Sequence, residues 1–333
     1  MKEAMFYRVS NNTVRCELCP HMCVLKNKEI GRCRTRVNKD GSLMSMAYGN
    51  PCALHIDPIE KKPLYHFLPG TQSLSLATGG CNLSCLNCQN SSISQASPEE
   101  VEIGDFSPLE VVEMASTKAC SSISFTYTDP TVYYEYMYDI AQIAHAHKLK
   151  NVMVSAGYMN KKPLEQLCPF IDAANIDLKC FDEQRYQQMC GIHLKPVLQT
   201  LQTLKAHNIW LEITNLIIPQ YTDDIVMIKK MLEWLVEHDF AETPIHFNRF
   251  VPHYQLGHIN ATPVELLYDI AELALSCGMQ FVYVGNVHAN PYQNSVCKSC
   301  GQMLINRKGY AICKSINANG ICENCGCSMV GVW

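Results

Sequence analysis

Between residues 71 and 288, short apolar runs alternate with longer amphipathic ones. Seven runs are of strand length and rich in β-branched and aromatic residues: 73–79, 122–127, 151–157, 173–179, 211–219, 245–251 and 281–287. Helical patterns separate them, at 131–147, 183–190, 195–207, 224–238 and 263–276. A further helix starts at Ser107-Pro108-Leu109-Glu110, a capping box with proline in the first turn. Strands alternating with helices predict βαβ units on a parallel sheet, and six or seven such units suit a complete or partial barrel. No G-x-G-x-x-G follows a strand, so a dinucleotide-binding fold has little support.

In a barrel, chemistry belongs where strands end and loops begin. Polar residues gather at those places: Cys81 to Cys88 after the first strand, Thr126 to Thr131 after the second, and Asp177 to Lys179 at the fourth. The flanks read as separate modules. Residues 1–70 carry a cysteine group and the proline- and charge-dense segment DPIEKKPLYHFLPG (57–70). Residues 289–333 carry another cysteine group among glycines and asparagines, in a stretch too short to fold well without metal. The expected domains are therefore 1–70, 71–288 and 289–333.

Composition narrows the class. With 47% hydrophobic and 17% charged residues, the chain reads as a globular enzyme. A net charge of −4 leaves no footprint for nucleic acid or an anionic membrane. There is no signal-peptide core at the start and no apolar run approaching the roughly 18 residues of a membrane span. The expected compartment is the cytoplasm, where thiols stay reduced and clustered cysteines bind metal. Of the 19 cysteines, thirteen fall into three groups; Cys52, Cys120, Cys168, Cys180, Cys190 and Cys277 stand alone and read as buried small hydrophobes.

The central group, GGCNLSCLNCQN (79–90), spaces Cys81, Cys85 and Cys88 as C-x3-C-x2-C in a tight loop. Three thiolates on a four-iron cubane leave one iron free for another ligand. A structural zinc would need a fourth ligand. The neighbours Asn82, Asn87, Gln89 and Asn90 are poor candidates for it. Cys297-x2-Cys300 and Cys322-x2-Cys325, each followed by glycine and 21 residues apart, read as two knuckles of a ribbon holding zinc or a mononuclear iron, with a hairpin through INRKGYAIC. Cys313 and Cys327 are left over. Cys16, Cys19, Cys23 and Cys33, with His21 as a substitute, suit a structural zinc or an auxiliary iron–sulfur cluster.

C-x3-C-x2-C resembles the signature of the radical S-adenosylmethionine superfamily, whose fold is a partial or full (βα) barrel. Within it the chain is similar to pyruvate formate-lyase activating enzymes, and most of all to the radical SAM members of the AmmeMemoRadiSam system. The segments carrying the resemblance are CELCPHMC (16–23), DPIEKKPLYHFLPG (57–70), CNLSCLNCQN (81–90), TYTDPT (126–131), NIDLK (175–179), HFNRF (246–250) and the tail from CKSCG (297–301) to GVW (331–333). Two positions depart from the pattern: Asn87 stands where an adenine-facing aromatic is usual, and Asp129 where the group has glutamate.

The resemblance implies a 4Fe–4S cluster on Cys81, Cys85 and Cys88 and reductive cleavage of S-adenosylmethionine to a hydrogen-abstracting 5′-deoxyadenosyl radical. It also implies contacts from Thr126, Tyr127, Thr128 and Asp129 to the methionyl amino group; a helix cap is the plain alternative for Asp129. Asp177 and Lys179 point to one side of a strand and could pair in the barrel mouth, as in related activating enzymes. Ser155, Glu212, Thr214 and Asn215 could extend the polar site. A histidine near the sixth strand, His246 or His253, would meet the cofactor's ribose. The implied partners are a reductant such as flavodoxin or ferredoxin, and a substrate that could be a glycyl-radical enzyme or an AMMECR- or Memo-type protein. The rival of another class is a non-catalytic metal-binding adaptor. Only Lys298, Arg307, Lys308 and Lys314 give the ribbon basic character, which argues against nucleic acid.

Overall fold

A computed structural model describes residues 1–333. In the first fifty residues, β1 (Lys2–Glu3), β2 (Tyr7–Ser10), β3 (Thr13–Cys16), β4 (Val24–Lys26), β5 (Arg36–Lys39) and β6 (Ser42–Ser45) build two antiparallel sheets, ordered β1-β6-β5 and β2-β3-β4. β7 (Pro51–Pro58) then enters the main sheet, antiparallel to β8 (Gln72–Thr78). From β8 the chain winds through right-sized crossovers. After two short helices, α1 (Ser91–Ser94) and α2 (Pro98–Val101), come α3 (Pro108–Thr117), β9 (Ser122–Phe125), α4 (Tyr134–Ala146) and β10 (Lys150–Ser155). Then follow α5 (Lys161–Leu167), β11 (Ala173–Asp177), α6 (Glu183–Cys190), α7 (Leu194–Ala206), β12 (Trp210–Ile217), α8 (Ile225–Glu237), β13 (Ile245–Arg249), α9 (Val264–Ser276) and β14 (Val282–Gly285). The order β14-β13-β12-β11-β10-β9-β8-β7, parallel from β8 onward, leaves β7 and β14 as edges of a partial barrel.

The two-residue strand period separates two environments. Leu74, Leu76, Ile123, Phe125, Met153, Ile176, Ile213, Phe247 and Val284 join the large core shared with the helices. The alternate residues Ser73, Ser75, Ser124, Asn175, Glu212, Thr214, His246 and Tyr283 are buried on the barrel's inner face. One end of that interior is stoppered by Ile59, Leu64 and Phe67, packed on Val152 and Ala173, with Val332 of the C-terminal tail beside them. The helix starts follow local chemistry: Ser107 Oγ accepts from Glu110 N–H (3.3 Å) while Ser107 N–H donates to the Glu110 carboxylate (2.7 Å), the expected reciprocal cap.

All seven expected strands are present as β8 to β14. The strand β7 and the stopper after it lie on the N-terminal side of residue 70, so this part of the flank is built into the barrel. The C-terminal module is a three-stranded sheet of β15 (Ser295–Val296), β16 (Met303–Lys308) and β17 (Ala311–Lys314), with the expected hairpin turning at Gly309.

Candidate active site and metal centres

At the end of β8 the chain passes through Gly79 and Gly80 into the cysteine loop. A Cβ on Gly80 would lie 2.4 Å from the Cys33 carbonyl oxygen and 2.5 Å from Thr35 Cγ2, and one on Gly79 would lie 2.7 Å from Val101 Cγ2. What approaches these glycines is the chain itself: α2 on one side, the N-terminal module on the other. Gly80 also has φ +91°, a conformation that favours glycine.

Cys81, Cys85 and Cys88 line one cavity of about 610 Å³ at the C-terminal ends of the strands. Leu83 N–H donates to Cys81 Sγ (3.4 Å), and Cys88 Sγ pairs with Ser94 Oγ (3.2 Å). No carboxylate or histidine gathers with the three sulfurs into a closed one-ion site. Cys190, buried on α6, stands beside Cys85 but does not line the cavity. Three thiols facing open space suit a cluster with one free coordination position better than a closed tetrahedron.

Around the cavity, Thr126, Tyr127, Thr128, Asp129, Ser155, Asp177, Lys179, Thr214 and His246 all appear where the sequence suggested a polar site. Asp177 and Lys179 pair at 2.8 Å. Asp129 Oδ1 accepts from Thr131 N–H (3.0 Å), so it is a cap, while Oδ2 accepts from Ser155 Oγ (3.0 Å) and Ala156 N–H (2.8 Å). The carboxylate thus fastens the ends of two strands together and keeps lone pairs for an ammonium. Tyr127 sits at φ +64°, a left-handed conformation costing about 1–2 kcal/mol. Its hydroxyl donates to Asp57, whose carboxylate also binds Lys61 (2.7 Å) and Lys62 (2.6 Å). Burial opposes charge on Asp57, but these donors outweigh it and hold the carboxyl below the usual range. Burial also brings Lys62 down to about 8 against the pull of Asp57. Asp57, Lys61 and Lys62, with Glu60 and Tyr65, lie in the segment DPIEKKPLY, which belongs to the floor of the barrel cavity rather than to a separate flank.

Four expected cofactor contacts lie elsewhere. Glu212 sits deeper, fully buried. Its oxygens accept from the N–H groups of Tyr65 (2.9 Å) and His66 (2.8 Å), from Trp210 Nε1 (3.1 Å) and from His246 Nε2 (2.6 Å). Burial pushes its pKa up, yet His246 and the other donors bring it below the ordinary value. It anchors the stopper segment. Asn215 falls on the outer face of β12, donating to the Leu178 carbonyl (2.6 Å) near Met231. His253 is exposed beyond the end of β13, leaving His246 as the histidine on the cavity. Asn87 is not among the residues facing the cavity.

In the C-terminal module the sulfurs of Cys297, Cys300, Cys322 and Cys325 all lie within 4.8 Å of one another. The Cys297–Cys325 and Cys300–Cys322 separations are 3.6 and 3.8 Å. A tetrahedron of 2.3 Å metal–sulfur bonds has edges of about 3.8 Å, so a single ion fits without rearrangement. Each knuckle closes with a glycine N–H on the first cysteine's carbonyl: Gly301 to Cys297 at 2.8 Å and Gly326 to Cys322 at 2.9 Å. Cys313 and Cys327 stay outside. Cys16, Cys19, Cys23 and Cys33 line a separate cavity in the N-terminal module.

Residues 75–235 match the radical SAM superfamily, and the parallel sheet with its three-cysteine loop is that fold. The chain belongs to this superfamily. An uncharacterised protein of Methanocaldococcus jannaschii is 46% identical over 308 residues, 92% of each chain. The 4-hydroxyphenylacetate decarboxylase activating enzyme of Clostridium scatologenes is 21% identical over 162 residues, 47% of this chain and 51% of that enzyme. Among solved structures, a radical SAM methyltransferase from Sphaerobacter thermophilus shares the fold at a TM-score of 0.51 and 10% identity, over 71% of each chain. No helix is long and apolar enough to cross a membrane.

Proposed function

We propose that the chain cleaves S-adenosylmethionine reductively at a 4Fe–4S cluster on Cys81, Cys85 and Cys88, and abstracts hydrogen from a protein substrate. The observation that carries this reading is the sharing of one cavity by three thiols and polar residues on or just past five strands, β9 to β13. Bound together, cluster and S-adenosylmethionine supply a 5′-deoxyadenosyl radical from one donated electron. The chain's own residues do the rest. Thr126, Thr128 and Asp129 offer acceptors for an ammonium, with Asp129 held in place by Ser155 and Ala156. Asp177 and Lys179 provide a fixed charge pair at the mouth, and His246 is oriented by Glu212 from below. The stopper residues Ile59, Leu64 and Phe67 shut the far end of the barrel against water.

The relatives' names support a protein substrate, since the activating enzymes of 4-hydroxyphenylacetate decarboxylase and benzylsuccinate synthase act on enzymes. A glycyl-radical enzyme is one candidate, and an AMMECR- or Memo-type protein, which the family resemblance also implies, is the other. A flavodoxin or ferredoxin would supply the electron. In the C-terminal module we assign zinc to Cys297, Cys300, Cys322 and Cys325, a closed all-thiolate site with no position left for substrate.

Electron paramagnetic resonance of the dithionite-reduced protein tests the cofactor site. Adding S-adenosylmethionine should change the signal of the wild type, and Cys85→Ala should abolish that response. A signal indifferent to S-adenosylmethionine would refute the open coordination position.

A further inference from the structure

The N-terminal cysteines are built differently from the C-terminal quartet. Cys16, Cys19, Cys23 and Cys33 face one cavity whose walls include Leu18, Leu25 and Val132. The charged side chains on it are Arg32 and Arg36, and no carboxylate lines it. Yet these four sulfurs do not gather within the 4.8 Å that encloses the C-terminal four. A single zinc draws its thiolates to about 3.8 Å apart. A cubane holds each thiolate on a different iron and so spreads them around a core of four metals and four sulfides. Four sulfurs that share one cavity without being drawn together around a single ion match the cubane.

The surroundings fit an anionic cluster. Arg36 is buried (1% exposed), and its Nη1 donates to Cys16 Sγ at 3.5 Å, while its other end is ion-paired with Glu135. Thr35 Oγ1, whose proton goes to the Val132 carbonyl (2.8 Å), lies 3.2 Å from Cys33 Sγ. Three buried polar atoms on the cavity's lining residues have no partner in the protein: Arg36 Nε, Asn82 Oδ1 and Thr131 Oγ1. Hydrogen bonds to ligand sulfurs and a nearby cation are the means by which proteins stabilise and tune such clusters.

The cavity also backs onto the catalytic loop. Asn82 lines it, while the adjacent Cys81 lines the barrel cavity. His21 Nε2 contacts the Asn82 carbonyl at 2.7 Å, and the Cys33 carbonyl is the atom that forbids a side chain at Gly80. Two adjacent residues thus face the two sites.

We infer that Cys16, Cys19, Cys23 and Cys33 hold a second cluster of the 4Fe–4S type, with four protein ligands, set against the back of the radical-generating loop. This does not rest on the reading of the barrel cavity. The test is anaerobic reconstitution of the full chain with iron and sulfide, followed by metal analysis and Mössbauer spectroscopy. The wild type should carry about eight irons and eight sulfides, two cubanes. The Cys81→Ala/Cys85→Ala/Cys88→Ala variant should keep half of each, with an electron paramagnetic resonance signal that S-adenosylmethionine does not alter. The Cys16→Ala/Cys19→Ala/Cys23→Ala variant should keep the other half. A Cys81/Cys85/Cys88 variant with no iron and a second equivalent of zinc would overturn the inference, even if the N-terminal variant failed to fold. If instead the barrel reading were the one at fault, the wild type would hold a single cluster that survives in this same variant.

Discussion

Glu212 separates an anchoring role from a cofactor-binding one. Its carboxylate takes four donors, two of them backbone N–H groups 146 and 147 residues away in sequence, and it is wholly buried. In Glu212→Gln the side chain keeps its size, but one oxygen becomes an amide NH2. Placed either way, that NH2 opposes two donors: Tyr65 N–H and His246, or His66 N–H and Trp210. If the NH2 faces His246, a change of imidazole tautomer restores one bond, and one charge-assisted bond is lost outright while the others weaken to neutral strength. At about 1.5–3 kcal/mol for a bond to a charged group, the stopper should loosen by about 3 kcal/mol. The amides of Tyr65 and His66 report this through hydrogen exchange, which should accelerate by roughly a hundredfold because 1.4 kcal/mol is about a factor of ten. Affinity for S-adenosylmethionine should fall only secondarily, as Lys61, Lys62 and Tyr65 lose their fixed positions on the cavity wall. Unchanged exchange at residues 65 and 66 with a sharp loss of affinity would refute the anchoring account and return Glu212 to direct cofactor contact.

Two other outcomes follow from buried or metal-bound groups. His66 is fully buried between the Val330 carbonyl (2.9 Å) and the Tyr283 hydroxyl (2.5 Å), and burial lowers its pKa to about 4 from 6.5. Between those values the unfolded chain takes up a proton that the folded chain refuses, so stability falls as pH drops from 6.5 to 4 and the loss levels off below, about 3 kcal/mol in all. Urea unfolding across that range should show a shallower slope in His66→Asn, and equal slopes would count against the buried neutral imidazole. In the C-terminal module, a strong chelator or Cys300→Ser should release one zinc and unfold residues 289–333, which lose on the order of 10 kcal/mol of metal-coupled folding energy. Protease should then cut within this module and spare the barrel; Cys313→Ser should leave zinc content unchanged, and loss of zinc in that variant would dispute the ligand set.

Much of the barrel was legible because its strands carry their own signal. Runs such as SLSLAT and AANID alternate outward apolar and inward polar residues, and amphipathic helices separate them. The same period places Glu212 and Thr214 on one face and Asn215 on the other, which explains why Asn215 missed the cavity. Cys81, Cys85 and Cys88 were readable from spacing, and the Asp177–Lys179 pair from a two-residue step, although β11 ends at Asp177 and Lys179 lies just past it. The strand β7 was not readable: PCALHIDP is half-exposed along an edge, so neither alternation nor a continuous apolar run marks it. Nor could local pattern show that Asp57, Lys61 and Lys62 meet Tyr127, or that Glu212 reaches back to Tyr65. Those contacts span roughly 65 to 147 residues and exist only once the sheet has curled. Nor could local pattern show what crowds Gly79 and Gly80, since the atoms come from α2 on one side and from the N-terminal module on the other.

The most direct test of the central claim is product analysis under anaerobic, reducing conditions. Wild-type protein loaded with iron and sulfide, given dithionite and S-adenosylmethionine, should release methionine and 5′-deoxyadenosine, and Cys85→Ala loaded in parallel should release neither. A wild type with a full complement of cluster and no 5′-deoxyadenosine, or a Cys85→Ala variant that forms it undiminished, would contradict the account.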